Sequence, residues 1–200
     1  FEATSRDTRG KAGTRSQGED AVKLFISCND HDTLVLFSDR GVSYALPAYR
    51  VPQCSRAAKG TPVVQLLPIP REEAITTLIP VSEFSDDTDL LMLTTGGFIK
   101  RTSLSAFSNI RSNGLIAINL EEGDALTWVR LAVPGDSVLI GSKAGMTIHF
   151  RLSDEELRPL GRTARGVRSM NLRDGDALVS MDVLPVELAD QVAASAEEEE

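Results

Sequence analysis

Asn119-Leu120-Glu121-Glu122-Gly123-Asp124-Ala125-Leu126 is matched 52 residues later by Asn171-Leu172-Arg173-Asp174-Gly175-Asp176-Ala177-Leu178. A shared N-L-x-x-G-D-A-L at a fixed offset marks an internal repeat, and a period near 50 residues means an array of supersecondary units. The register extends upstream, where Ser112-Asn113-Gly114-Leu115 stands opposite Ala164-Arg165-Gly166-Val167. A weaker copy, Ala58-Lys59-Gly60-Thr61, lies 54 residues before the first of these, and Arg9-Gly10 lies 50 residues earlier still.

Between these copies a second marker recurs, in Phe37-Ser38-Asp39-Arg40-Gly41-Val42, Leu93-Thr94-Thr95-Gly96-Gly97-Phe98 and Gly141-Ser142-Lys143-Ala144-Gly145-Met146. Each separates two short runs rich in Val, Leu and Ile. A glycine between such runs signals a hairpin, because it reaches positive φ without steric cost. Helical periodicity is confined to one possible turn at Asp154 to Leu157. Each repeat therefore reads as about four short strands, and the fold class is all-β, a propeller-like array of blades. The blade limits expected from the markers are about 8–52, 53–107, 108–159 and 160–186, the last lacking its second hairpin. Residues 187–200 read as an acidic linker or tail. An array this short is incomplete and leaves sheet edges exposed, which favours further blades beyond it.

The 200 residues are 42% hydrophobic and 25% charged, a folded rather than disordered composition. A net charge of −8 argues against a polyanionic partner until it is resolved along the chain. Glu187, Asp190 and Glu197 to Glu200 hold six acids with no base among them, leaving 23 acids against 21 bases in the remainder. No apolar run reaches the roughly 18 residues of a membrane helix, so no membrane partner is expected. Cys28 and Cys54 follow no CxxC pattern and read as reduced thiols of a cytosolic protein.

Bases recur beside the repeated glycines. Arg9, Lys59 and Arg165 precede Gly10, Gly60 and Gly166, while the third copy has Asn113 there with Arg111 close by. Arg6, Lys11, Arg15, Arg56, Arg162 and Arg168 surround them, and Arg40, Lys100, Arg101 and Lys143 lie at or near the hairpins. Equivalent positions of a disc fall on its rim, so these bases form a curved stripe suited to a bent polyanion. Such a stripe contacts phosphates without reading sequence, and a neighbouring glycine lets backbone N–H groups approach a phosphate. Aromatic residues do not interleave with them, which favours a duplex over a stacked single strand.

Thr8-Arg9-Gly10-Lys11-Ala12-Gly13 resembles the glycine- and arginine-rich box that opens the C-terminal domain of DNA gyrase A and of its topoisomerase IV counterpart. Asn29-Asp30-His31-Asp32-Thr33, Gly60-Thr61-Pro62-Val63-Val64-Gln65-Leu66-Leu67-Pro68 and Pro80-Val81-Ser82-Glu83-Phe84 extend the likeness over about residues 4 to 185. The box departs from the family pattern, since only Arg9, Gly10 and Gly13 match directly and Lys11 is a displaced base. The resemblance implies a β-pinwheel whose blades exchange strands and whose basic rim wraps duplex DNA. It also implies a non-catalytic domain of an ATP-dependent, cytoplasmic, nucleoid-associated topoisomerase. ATP and Mg would then serve the parent complex, a heterotetramer of gyrase A and gyrase B, and no cofactor would belong to this domain. The alternative is a propeller-like protein-interaction scaffold.

No catalytic or metal-binding set is expected. Asn29-Asp30-His31-Asp32 reads as a turn, His149 has no sequence partner, and Asp86, Asp87 and Asp89 lack the pattern of a calcium loop. Tyr44 and Tyr49 have no suitable neighbours for DNA cleavage, and no nucleotide-binding, GxSxG or HExxH motif occurs.

Overall fold

Thr33–Ser38 (β1) and Val42–Pro47 (β2) form the first hairpin, Asp89–Thr94 (β4) and Phe98–Ser103 (β5) the second, and Ser137–Ser142 (β8) and Thr147–Arg151 (β9) the third. The computed structural model describes residues 24–55, 58 and 60–188. Each hairpin turns on a glycine in the left-handed region: Gly41 at φ 75°, Gly97 at φ 86° and Gly145 at φ 82°. All three hairpin markers thus do what their residues predict.

The chain then does something a simple blade would not. After β5 it sends Leu115–Ile116 (β6) back to pair with β2, before Leu126–Ala132 (β7) returns to pair with β4. After β9 it repeats the move, sending Val167–Arg168 (β10) back to β5 before Leu178–Leu184 (β11) joins β8. With Ile75–Val81 (β3) on β1, the sheets read β3-β1-β2-β6, β10-β5-β4-β7 and β11-β8-β9. The structure is nearly all β, and its sheets exchange strands as the family resemblance implies.

Blade limits drawn from the sequence markers cut across these sheets. Residues 53–107 supply β3 to the first sheet but β4 and β5 to the second, and residues 108–159 supply strands to all three. The cause is the exchange itself: the two-residue strands β6 and β10 serve the sheet behind them, so the repeat and the sheet are out of phase. Residues 160–186 are accordingly the closing strands of the second and third sheets rather than a truncated fourth blade.

Stacking explains why the central strands read as continuous apolar runs. Val35 and Phe37 of β1 pack against Leu90 and Met92 of β4, with Leu104, Phe107 and Val129. Leu91 and Leu93, on the opposite face of β4, pack against Val138 and Ile140 of β8. Leu34 and Leu36 face a third cluster with Tyr44, Leu46, Leu67 and Ile69. A strand buried on both faces needs apolar side chains at every position, and each fully buried one contributes roughly 1.5–3 kcal/mol. Trp128 is partly buried against the second of these interfaces. The predicted turn near Asp154 is present, closed by Leu157 N–H donating to Ser153 O (2.9 Å).

The N-L-x-x-G-D-A-L motif owes its recurrence to hairpin bracing. Asp124 accepts from Gly96 N (2.7 Å), Thr95 Oγ1 (2.8 Å) and Ala125 N (2.8 Å). Asp176 repeats this with Ser142 Oγ (2.7 Å), Ala144 N (2.9 Å) and Ala177 N (2.8 Å). Each aspartate therefore ties the start of a returning strand to the tip of the hairpin beside it. In the first sheet Asp39 supplies the carboxylate instead, accepting from Ala74 N (3.0 Å), and Glu73 is left to Tyr44 (2.9 Å).

Candidate nucleic-acid interface

The hairpin tips are the positions that repeat from sheet to sheet. At the first, Arg40 is exposed between Asp39 and Gly41; at the third, Lys143 is exposed beside Ala144 and Gly145. The second tip, Thr95-Gly96-Gly97, has no base of its own. Strand exchange supplies two. Arg168 pairs across the ladder with Phe98, the first residue after this tip, and its guanidinium carbon lies 4.9 Å from the ring centroid. Arg165 lies over the same ring at 4.4 Å.

This pair is held from several directions. Ser169 donates to Gly97 O through both N (2.8 Å) and Oγ (2.9 Å), fixing the end of β10 on the turn. Phe98 N–H donates to Thr94 Oγ1 (3.2 Å). The ring is itself buried, so its face offers a rigid platform on which cations gain about 0.5–1 kcal/mol each. The result is at least one exposed cation at the same end of each of the three sheets.

Arg111 and Arg162 occupy different ground. They line a groove of about 980 Å³ with Asn109, Asn113 and Gly114, between the exchanged segments of the first and second sheets. Arg111 is exposed and Arg162 half-buried. Acids interleave with these bases: Glu121 forms an ion pair with Arg165, and Glu121, Glu122 and Asp124 share a smaller hollow with Arg40.

Two predicted rim residues are not on the surface. Lys100 is fully buried, and its Nζ donates to the carbonyls of Ala117, Gly161 and Arg162. These acceptors belong to the two exchanged segments, so Lys100 pins both crossovers to β5. Arg101 is also buried, with Nε on Asp89 (2.6 Å) and Nη1 on Asp154 (2.8 Å) and Leu157 O (3.2 Å). Both are removed from the candidate phosphate contacts, because their donors are already committed inside the fold. Arg6, Arg9, Gly10, Lys11, Gly13, Arg15, Arg56 and Lys59 lie outside the described residues.

Two of the repeated glycines, Gly114 and Gly166, have a packing reason, whereas a Cβ at Gly60 would meet nothing within 4 Å. Gly166 has φ +99°, and a Cβ there would lie 2.3 Å from Ile99 O; Gly114 has φ +86°, with Val42 Cγ1 2.7 Å from such an atom. Both permit the exchanged strand to settle on its host, which accounts for them without a phosphate. The Asn29–Asp32 turn is structural as well, with Asn29 N–H donating to Asp32 Oδ2 (2.7 Å) and Ser82 Oγ to Asp32 Oδ1 (2.8 Å). These bonds, from Asn29 first and Ser82 second, hold the Asp32 carboxyl below its ordinary range.

Sequence reading missed Phe98 and Glu121. The first carried a usable signal, an aromatic residue immediately after a hairpin glycine. The second did not, because its contact with Arg165 depends on a strand exchanged across sheets.

Comparison with known proteins agrees with this architecture. The family model described as DNA gyrase C-terminal domain, beta-propeller, matches residues 32–82, 88–132 and 136–185, each segment spanning one hairpin and the long strand that returns to pair with it. The chain is 58% identical over 199 residues to the DNA gyrase A protein of Synechocystis sp., covering 100% of this chain and 23% of that protein. It is 43% identical over 198 residues to the chloroplastic/mitochondrial DNA gyrase A protein of Arabidopsis thaliana, covering 99% of this chain and 21% of the relative. The chain thus spans under a quarter of the length of these curated relatives. Among solved structures, a DNA gyrase A C-terminal domain has a TM-score of 0.64 at 27% identity, over 85% of this chain and 56% of that one. A DNA topoisomerase IV C-terminal domain has a TM-score of 0.69 at 28% identity, over 78% and 48% respectively. Three matched repeats on three strand-exchanged sheets, with these relatives, place the chain in the DNA gyrase C-terminal domain family.

Proposed function

We propose that this chain binds duplex DNA without strong sequence preference and bends it along the hairpin ends of successive sheets. The observation that carries the reading is the recurrence of exposed cations there: Arg40 on the first sheet, Arg165 and Arg168 on the second, Lys143 on the third. Arg111 and Arg162 extend the basic surface between the first two sheets. Guanidinium and ammonium groups at such a spacing neutralise backbone phosphates and release counterions, and they leave base edges unread. Bending a duplex site costs on the order of 1–6 kcal/mol, so contacts on several sheets must act together.

In the parent protein this DNA-wrapping surface would serve a type II topoisomerase, delivering a bent segment for ATP-dependent strand passage. The remainder of gyrase A and a gyrase B partner would supply cleavage and ATP hydrolysis, and this domain would act without catalytic residues or cofactors of its own. Titration of a linear duplex over a range of salt tests the binding. Arg168→Gln should lower the slope of log affinity against log salt by about one. Absence of binding at low salt, or binding indifferent to salt, would leave the scaffold reading standing instead.

A further inference from the structure

Arg165 and Arg168 lean on one aromatic ring, with guanidinium carbons 4.4 and 4.9 Å from the Phe98 centroid. Like charges brought this close call for an anion between or beside them. The chain provides one: Glu121 forms an ion pair with Arg165. Among the described residues Arg168 has no ion pair, so the site holds two positive charges against one negative. The loop that carries Glu121 is anchored beside the exchanged segment, since Asn119 N–H reaches Ala164 O (3.4 Å). It is anchored at its other end by the Asp124 bonds to the hairpin tip.

The repeat makes this acid informative. Glu121 is the third residue of Asn119-Leu120-Glu121, and the following copy reads Asn171-Leu172-Arg173. A base in one repeat is thus replaced by an acid in the other, at the place where two arginines gather. The carboxylate also meets an arginine that is half open to water: the side chains of Arg165 and Glu121 are 47% and 54% exposed. An ion pair this solvated is weak, worth about 0–1 kcal/mol, and its partners exchange readily. A phosphodiester carries the same single charge on two oxygens but is not tethered to this loop, so it can engage both guanidinium groups, whereas the Glu121 carboxylate pairs with Arg165.

We infer that Glu121 is a built-in competitor at a phosphate site, occupying on Arg165 the position that a DNA phosphate oxygen takes when duplex crosses the second sheet. This rests on the DNA-binding reading and adds regulation to it: affinity at the second sheet is set by displacement of the protein's own carboxylate. Arg165 and Arg168 hold the phosphate, Phe98 orients them, and Glu121 keeps the pair partly neutralised until DNA arrives.

The test compares the chain with its E121Q, E122Q, R165Q and E121Q/R165Q variants in titrations of a linear duplex at low and moderate salt. Circular dichroism of each checks the fold. Removing the competitor should tighten binding about 2–5-fold. E122Q, which removes a neighbouring exposed acid that has no ion pair among the described residues, should give a smaller gain, and E121Q should give no such gain when Arg165 is already Gln. Equal gains from E121Q and E122Q would reduce Glu121 to general surface charge and overturn the inference. Weaker binding by E121Q would overturn it too, since Glu121 would then be positioning Arg165 for DNA. A chain that binds no duplex at low salt, with every variant folded, would instead overturn the DNA reading from which the inference starts.

Discussion

Burial pushes the Lys100 ammonium from its ordinary 10.5 down to about 7, with repulsion from Arg162 adding to the effect. Between those two values the unfolded chain keeps a proton that the folded chain has released, so stability must rise with pH across that window. The slope is at most about 1.36 kcal/mol per pH unit for one group. The full gap sets a ceiling of about 2 kcal/mol of stability gained between pH 7 and pH 9. Three carbonyl acceptors pull the other way by favouring the ammonium, which brings the expected gain to about 1–2 kcal/mol.

Lys100→Met isolates this residue. Gly161 O also accepts from Ala164 N (3.0 Å) and stays paired, but the carbonyls of Ala117 and Arg162 lose the Lys100 donor. A buried polar group left unpaired costs about 1–3 kcal/mol, offset in part by removal of the buried charge. The variant should therefore be less stable than the parent at pH 9 by about 1–3 kcal/mol, with the difference narrowing toward pH 6.5. Urea unfolding followed by circular dichroism at pH 6.5, 7, 8 and 9 measures both profiles. A parent profile that is flat or falling over pH 7 to 9, or a variant that keeps the parent's slope, would show that Lys100 does not release its proton on folding. Tyr44 stays outside this range: burial first, then its bond to Glu73, raises it to about 12, so its contribution to stability is lost only as pH climbs above 10.

Gly166→Ala should destabilise by roughly 2–4 kcal/mol, because positive φ and contact with the Ile99 carbonyl act together. Gly145→Ala, also at positive φ but in open space, should cost only about 1 kcal/mol, and thermal melts of the two variants compare them directly. On the acid side, burial alone would raise Asp124, but bonds from Thr94, Gly96, Thr95 and Ala125 together hold it low, and Asp176 is held low chiefly by Ser142. Their stabilisation is lost as pH falls through the lowered folded values, so Asp124→Asn and Asp176→Asn should each flatten the acid limb of an unfolding curve. Phe98→Leu should keep the fold yet weaken duplex binding by about 2–5-fold through loss of the ring beneath both arginines, as read by fluorescence anisotropy.

The hairpins and their glycines are legible because their signals are local: Gly41, Gly97 and Gly145 each sit between two apolar runs. Strand exchange is not legible as residues. Leu115–Ile116 and Val167–Arg168 are two residues long, and each pairs with a strand that closed well before it in the chain. Nothing in so short a run reveals its partner, so blade limits drawn from the repeat fall out of phase with the sheets. Lys100 and Arg101 mislead for a related reason. Charge in a strand reads as surface, and burial here is decided by carbonyls and carboxylates brought in from residues such as Ala117, Arg162 and Asp154. Arg165 and Arg168 stand out as neighbours because the repeat makes their position visible, although the ring beneath them does not announce itself.

Cations at the hairpin ends of successive sheets, if they act on a single bent duplex, must leave a topological trace. Relaxing a closed DNA circle with a nicking-closing enzyme while the chain is bound, then removing protein and measuring linking number, reads that trace. A linking-number shift that grows with bound protein and diminishes together in R40Q, K143Q and R168Q variants is the predicted result. Binding that leaves the linking number unchanged at saturation would show that the three sheets do not share one curved path.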